Sequence, residues 1–139
     1  MSEESTTRDL VELTRASVEA LNRGDFDAAT SFYAPDAVLK LTGMGTSYKG
    51  VAAIRGFFED FAATFAEYEI ELEEFLDLGD RVTFGVFRQQ GRPVGSSGRV
   101  QMRFAGVGVV ADGVLTHHTW YTDVDEARAA ADRLAEERG

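Results

Sequence analysis

Apolar positions in the first half of the chain recur at helical spacing. Leu10, Leu13, Val18 and Leu21 fall near one helix face, and Asn22-Arg23-Gly24-Asp25 stops that helix and caps the next. A short second helix is predicted from Phe26 to Tyr33, closed by Ala34-Pro35-Asp36. Residues 37–41 read as a short strand and residues 42–49 as a loop rich in glycine and hydroxyl groups. Gly50 then opens a third helix, which aligns Ile54, Phe57, Phe58, Phe61 and Phe65. After Ala66 the period changes. Glu67-Tyr68-Glu69-Ile70-Glu71-Leu72-Glu73 alternates strictly, as a half-exposed strand does. Turns at Leu78-Gly79-Asp80 and Gly91-Arg92-Pro93 set off strands at residues 81–90 and 97–110, and Ala111-Asp112-Gly113 is a tight hairpin into a last strand at 114–123. Alanine-rich residues 125–137 are predicted to form a helix capped by Asp123 or Asp125.

Helices followed by a run of antiparallel strands is α+β order. A single sheet of this length twists and curls. With the phenylalanine-bearing helix on one face, the curled sheet becomes the wall of a cone around an apolar, ligand-sized pocket. One domain over residues 1–139 is expected, with residues 1–6 and 137–139 as candidates for disorder. The net charge of −10 is spread over arginines scattered among more numerous acids. That pattern offers no phosphate-neutralising patch, so nucleic acid and anionic membrane are expected not to be partners. The absence of cysteine removes disulfides, thiolate metal sites and cysteine nucleophiles together. Neither a signal-peptide pattern at the N-terminus nor an apolar stretch long enough to span a bilayer is present, and a cytoplasmic protein is expected.

Several segments in sequence carry a family likeness: VEALNRGD (residues 18–25), SFYAPDAVL (31–39), YKGVAAIRGFF (48–58), DLGDRV (77–82) and DGVLTHHTWYTD (112–123). Their order and spacing resemble the SnoaL-like and ketosteroid isomerase-like proteins of the nuclear transport factor 2-like superfamily. The resemblance implies a cystatin-like cone-shaped roll. Three helices from the N-terminal half pack on a strongly curved, mostly antiparallel sheet, and a short C-terminal helix follows. It also implies a small-molecule enzyme acting without cofactor or metal by proton transfer, as an isomerase, cyclase or dehydratase. The alternative it leaves is a non-catalytic protein of the same fold that binds a hydrophobic ligand or dimerises. The steroid isomerase set of an aspartate base, a tyrosine and a protonated aspartic acid falls by spacing on Leu41, Ser17 and Val100, none of which can do that work. The aspartate–arginine–aspartate set of the epoxide hydrolases falls on Gly85, Thr83 and Trp120, which lack it as well.

The same resemblance implies which side chains face the pocket: Thr83, Gly85 and Phe87; Val100, Met102 and Phe104; His118, Trp120 and Thr122; and Ser17, Tyr33, Leu39, Leu41 and Phe58. The opposite sheet face, with Gln101, Arg103, His117, Thr119 and Tyr121, would then form a homodimer interface. His118 is the leading catalytic candidate, because imidazole titrates near neutral pH and serves as a base when neutral. Tyr33 would orient it or donate to a developing oxyanion. Alternatively, His118 only lines the pocket and hydrogen-bonds ligand or water. Trp120 reads equally as a platform for a flat ligand and as core packing. The adjacent His117 and His118 point to opposite faces of a strand, which argues against a shared metal ion.

Overall fold

The computed structural model describes residues 3–139, with side chains from Asp9 onward. Residues 1 and 2, part of the segment expected to be disordered, lie outside the described residues. The elements run α1 (Glu3–Asn22), α2 (Phe26–Thr30), β1 (Tyr33–Leu41), β2 (Thr46–Lys49), α3 (Val51–Ala63), β3 (Phe65–Gly79), β4 (Val82–Pro93), β5 (Val100–Ala111), β6 (Val114–Tyr121) and α4 (Val124–Arg138). The six strands form one sheet in the order β2-β1-β6-β5-β4-β3. Only the β1–β6 pairing is parallel.

Local chemistry accounts for most boundaries. Asp25 caps α2 by accepting from the Ala28 amide at 3.1 Å, and Asp123 caps α4 by accepting from the Glu126 amide at 3.0 Å. Asp112 and Gly113 both take positive φ, 53° and 80°, as the tight β5–β6 hairpin requires. Three expectations need correction. The second helix ends at Thr30, and Tyr33 opens β1, whose register with β6 breaks between Tyr33 and Val38 around Pro35. The last four residues of the expected 42–49 loop fold back as β2 on β1. Phe65 starts β3 rather than extending the third helix, which stops at Ala63.

The sheet has two different faces. On the concave face, Tyr33, Leu39, Leu41, Ile54 and Phe58 form one core cluster, and Val18, Ile70, Phe87 and Phe104 form a second. On the outer face, Val82, Phe84 and Val86 of β4 and Ala105 and Val107 of β5 pack against α4. Ala127 and Ala131 are fully buried there, small enough to bring the helix close to the strands. The C-terminal helix, expected to be short, thus spans 15 residues and covers the middle of the outer face. Among the described residues no helix is long and apolar enough to cross a membrane.

Candidate functional site

The cone closes over a narrow cavity with about 60 Å³ of free volume. Drug-sized sites typically hold about 300–1,000 Å³, so this cavity suits a slim ligand, or one that moves side chains aside. Its roof is the apolar stripe of α1 (Leu10, Leu13, Val18 and Leu21) with Phe58 and Phe61 of α3, and its floor is the concave face of β4, β5 and β6. Among the described residues no Asp, Glu, Lys or Arg lines it.

Glycines make the space on the floor. Gly85 and Gly106 are directly opposed across β4 and β5. A Cβ at residue 106 would stand 2.4 Å from Nε2 of His118, far inside contact distance, so only glycine lets the imidazole lie over this point. A β-bulge aims that imidazole. Val110 pairs with Leu115 and Val109 with His117, leaving Thr116 unpaired, and Thr116 Oγ1 donates to the Val109 carbonyl at 3.2 Å. The extra residue shifts the alternation by one, so Leu115 and His118 both face inward while His117 is exposed.

His118 is only 7% exposed, and the Tyr33 hydroxyl lies 2.6 Å from its Nδ1. The Trp120 indole Nε1–H donates to the same Nδ1 at 3.1 Å. An indole N–H is a donor only. Nδ1 is therefore an acceptor, the Tyr33 hydroxyl donates to it as well, and the neutral ring carries its proton on Nε2, the atom over Gly106. Burial pushes the His118 pKa down to about 3 and raises that of Tyr33 well above its ordinary value. Among the described residues no carboxylate lines the cavity to oppose that shift. At neutral pH His118 is an uncharged Nε2–H donor facing the cavity, and its acceptor nitrogen is occupied twice. Trp120 packs as core, its ring stacking on Phe58 at 5.9 Å and 17°, and its N–H fixes the imidazole, a role not read from the sequence.

Of the residues expected at the pocket, Ser17, Tyr33, Phe58, Thr83, Gly85, Phe87, Phe104, His118 and Trp120 do line it. Ser17 spends its hydroxyl on the Ala29 carbonyl at 2.6 Å. Leu39 and Leu41 sit instead in the core beside Ile54 and Phe58. Val100 and Met102 share the face of Phe104 but lie toward the start of β5, where they are 47% and 41% exposed. Thr122 falls past the end of β6 and is exposed. Alternation assigns a face but not a depth, which explains these misplacements. The α1 stripe was legible as a helix face, and it had to be buried against something; that was the available signal for the roof. Among the described residues no group of three or more His, Asp or Glu is placed to hold a metal ion.

A family model described as a SnoaL-like domain matches residues 14–118. No curated protein matches the chain by sequence. Among solved structures, a putative SnoaL-like polyketide cyclase from Jannaschia superposes with a TM-score of 0.73 at 16% identity, covering 95% of this chain and 97% of that one. An epoxide hydrolase from M. tuberculosis gives a TM-score of 0.68 at 20% identity, covering 91% and 92%. A hypothetical protein of ketosteroid isomerase-like fold from Catenulispora acidiphila, in complex with trimethylamine, gives 0.72 at 16% identity, covering 86% and 92%. At these identities the likeness is one of fold.

Proposed function

The chain belongs to the SnoaL-like domain family, and we propose that it takes a slim hydrophobic carbonyl compound and promotes cofactor-free proton transfer beside that carbonyl. The observation that carries this reading is the His118 ring, held neutral with Nε2–H over Gly106 by two donors on Nδ1. Such a donor suits the oxygen of a bound carbonyl, on which negative charge grows as an α-proton leaves. Tyr33 and Trp120 draw electron density from Nδ1, which makes the opposite N–H a stronger donor. A neutral imidazole polarising a carbonyl is an established arrangement in an unrelated enzyme. This moves His118 from the base of the sequence reading to the electrophile, and of the two roles read for Tyr33 it takes the orienting one rather than direct donation to the oxyanion. Among the described residues no carboxylate lines the cavity to take the departing proton, which in this reading goes to water or to a group of the substrate itself. Isomerisation, cyclisation and dehydration all pass through such an enolate-like stage.

The depressed His118 basicity and the lack of a carboxylate also support a second reading: a protein that binds the same ligand without turnover. One probe separates the two. Acetophenone bound to the wild-type protein is expected to show a carbonyl stretch shifted to lower frequency, and the shift is expected to vanish in His118→Leu. An unshifted stretch, or one equally shifted in the variant, sinks the proposal. Deuterium exchange into the acetophenone methyl group marks the enzyme; polarisation without exchange marks the binder.

A homodimer through the outer sheet face is part of the same proposal. Gln101, Arg103 and His117 are exposed there and Thr119 partly so, whereas Tyr121 packs into the cluster under α4. The helix leaves only the flanks of this face available to a second copy, and sedimentation of wild type against Gln101→Glu tests whether they are used.

A further inference from the structure

Gln89 lies on the concave face of β4, two residues past the cavity-lining Phe87 and directly opposite Ile70, another lining residue. It is 1% exposed, and among the described residues neither Oε1 nor Nε2 has a hydrogen-bond partner. A primary amide donates twice and accepts twice. Burying one unpaired costs stability that an apolar side chain of the same size would not lose. Its strand neighbours on that face are Ile70, Phe87 and Met102, none of which can satisfy it. Met102 is an unbranched, flexible chain, 41% exposed, at the outer end of the cone floor.

Between this amide and His118 the floor is aromatic and nearly continuous. Phe87 and Phe104 stack at 5.2 Å and 17°, and Phe104 meets Trp120 at 5.0 Å. Gly106, beneath the His118 ring, and Met102, opposite Gln89, are four residues apart on β5, about 13 Å of extended strand. A polar group stands at one end of this floor and another, unused, at the other.

We propose that Gln89 is a second polar anchor, and that the ligand is an elongated flat molecule with its carbonyl at His118 and a neutral hydroxyl or amide at the other end of the floor, within the roughly 13 Å that separates the two strand positions. The ligand lies along Trp120, Phe104 and Phe87, displaces Met102 and completes the hydrogen bonding of the Gln89 amide. A neutral distal group is specified because an isolated carboxylate in this aromatic setting would be desolvated without a counter-charge. The proposal rests on the ketone-binding reading above and adds to it the length and second functional group of the ligand.

Two ketones and two variants test it. The plain probe is 4-acetylbiphenyl and the bifunctional one is 4-acetyl-4′-hydroxybiphenyl, with affinities measured on wild type and Gln89→Leu. The hydroxylated ketone is expected to bind wild type about tenfold more tightly than the plain one, as one good neutral hydrogen bond allows. In Gln89→Leu the advantage of the hydroxylated ketone over the plain one is expected to vanish, and the unliganded protein to melt at a higher temperature. Gln89→Met, unbranched and of similar length, makes the same comparison if the leucine variant does not fold. Equal binding of the two ketones by wild type, or an advantage that survives in the variants, overturns the role of Gln89 and leaves the ketone reading standing. Failure of wild type to bind either ketone overturns both.

Discussion

Strand β4 is built to two different standards on its two faces. Outward, Val82, Phe84 and Val86 are between 0% and 2% exposed and pack against the alanines of α4, with the Arg128 guanidinium 5.7 Å over the Phe84 ring. Inward, the alternating residues are Thr83, Gly85, Phe87 and Gln89: a hydroxyl, a missing side chain, an aromatic ring and an amide without a partner. The same stretch of backbone serves both. Its outer face gains what close packing gives, while its inner face gives up packing and polar satisfaction to leave room beside His118. On the outer face Arg88 also leaves its Nε without a partner among the described residues, but its guanidinium pairs with Glu71. Where gaps in packing gather beside one cavity, function is the reason to expect them.

Perturbing the outer face should therefore change stability and spare binding. Phe84→Ala removes a ring that is 2% exposed and packed under α4, and is expected to cost roughly 3–5 kcal/mol in denaturant unfolding. Acetophenone affinity, measured where the variant remains folded, is expected to hold. A loss of affinity as large as the loss of stability would mean that the two faces are coupled.

The inner face should respond the other way. Gly106→Ala places a Cβ 2.4 Å from Nε2 of His118 and 3.1 Å from Cδ2, so the ring must swing off its bonds to Tyr33 and Trp120. The expected stability cost is smaller, about 1–3 kcal/mol, but the carbonyl shift of bound acetophenone should disappear. If the shift survives, Gly106 is not what positions the donor.

The effect of pH is graded rather than a single step. The unfolded chain protonates His118 near its ordinary 6.5, whereas the folded chain resists protonation down to about 3. Between those values the unfolded state binds more protons, so stability is lost as pH falls, by up to about 1.4 kcal/mol per pH unit. Above 6.5 this group contributes no pH dependence. Unfolding of wild type and His118→Gln between pH 4.5 and 7.5 isolates the term, because glutamine does not titrate. The difference between the two should narrow toward acid pH, and parallel curves would show that burial does not depress the imidazole.

The fold was largely legible because its signals are local. The glutamate alternation of residues 67–73, the Asp112-Gly113 turn and the Asp123 cap each specify their element without help from the rest of the chain. What escaped depends on distant partners. Residues 46–49 have no strong period of their own and become a strand by pairing with β1. Tyr33 reads as the end of a helix until β6 supplies its neighbour Leu115. For the site, the family resemblance turned His118 inward; plain alternation from Leu115 would have turned it out, because the Thr116 bulge leaves no mark in the hydrophobic pattern. Val100 and Met102 were assigned the right face and the wrong depth. Gln89 could not be found from sequence, since a glutamine in a strand ordinarily marks an exposed position.

The central claim is that the concave face holds His118 as a neutral Nε2–H donor. Its most direct test is the ¹⁵N NMR of the ¹⁵N-histidine-labelled protein across pH 5–8, with His117→Gln used to assign the two rings. For His118 an unprotonated Nδ1 and a protonated Nε2 are expected, with shifts that stay constant through this range. A proton on Nδ1, or titration of His118 to the imidazolium near pH 6.5, would contradict it.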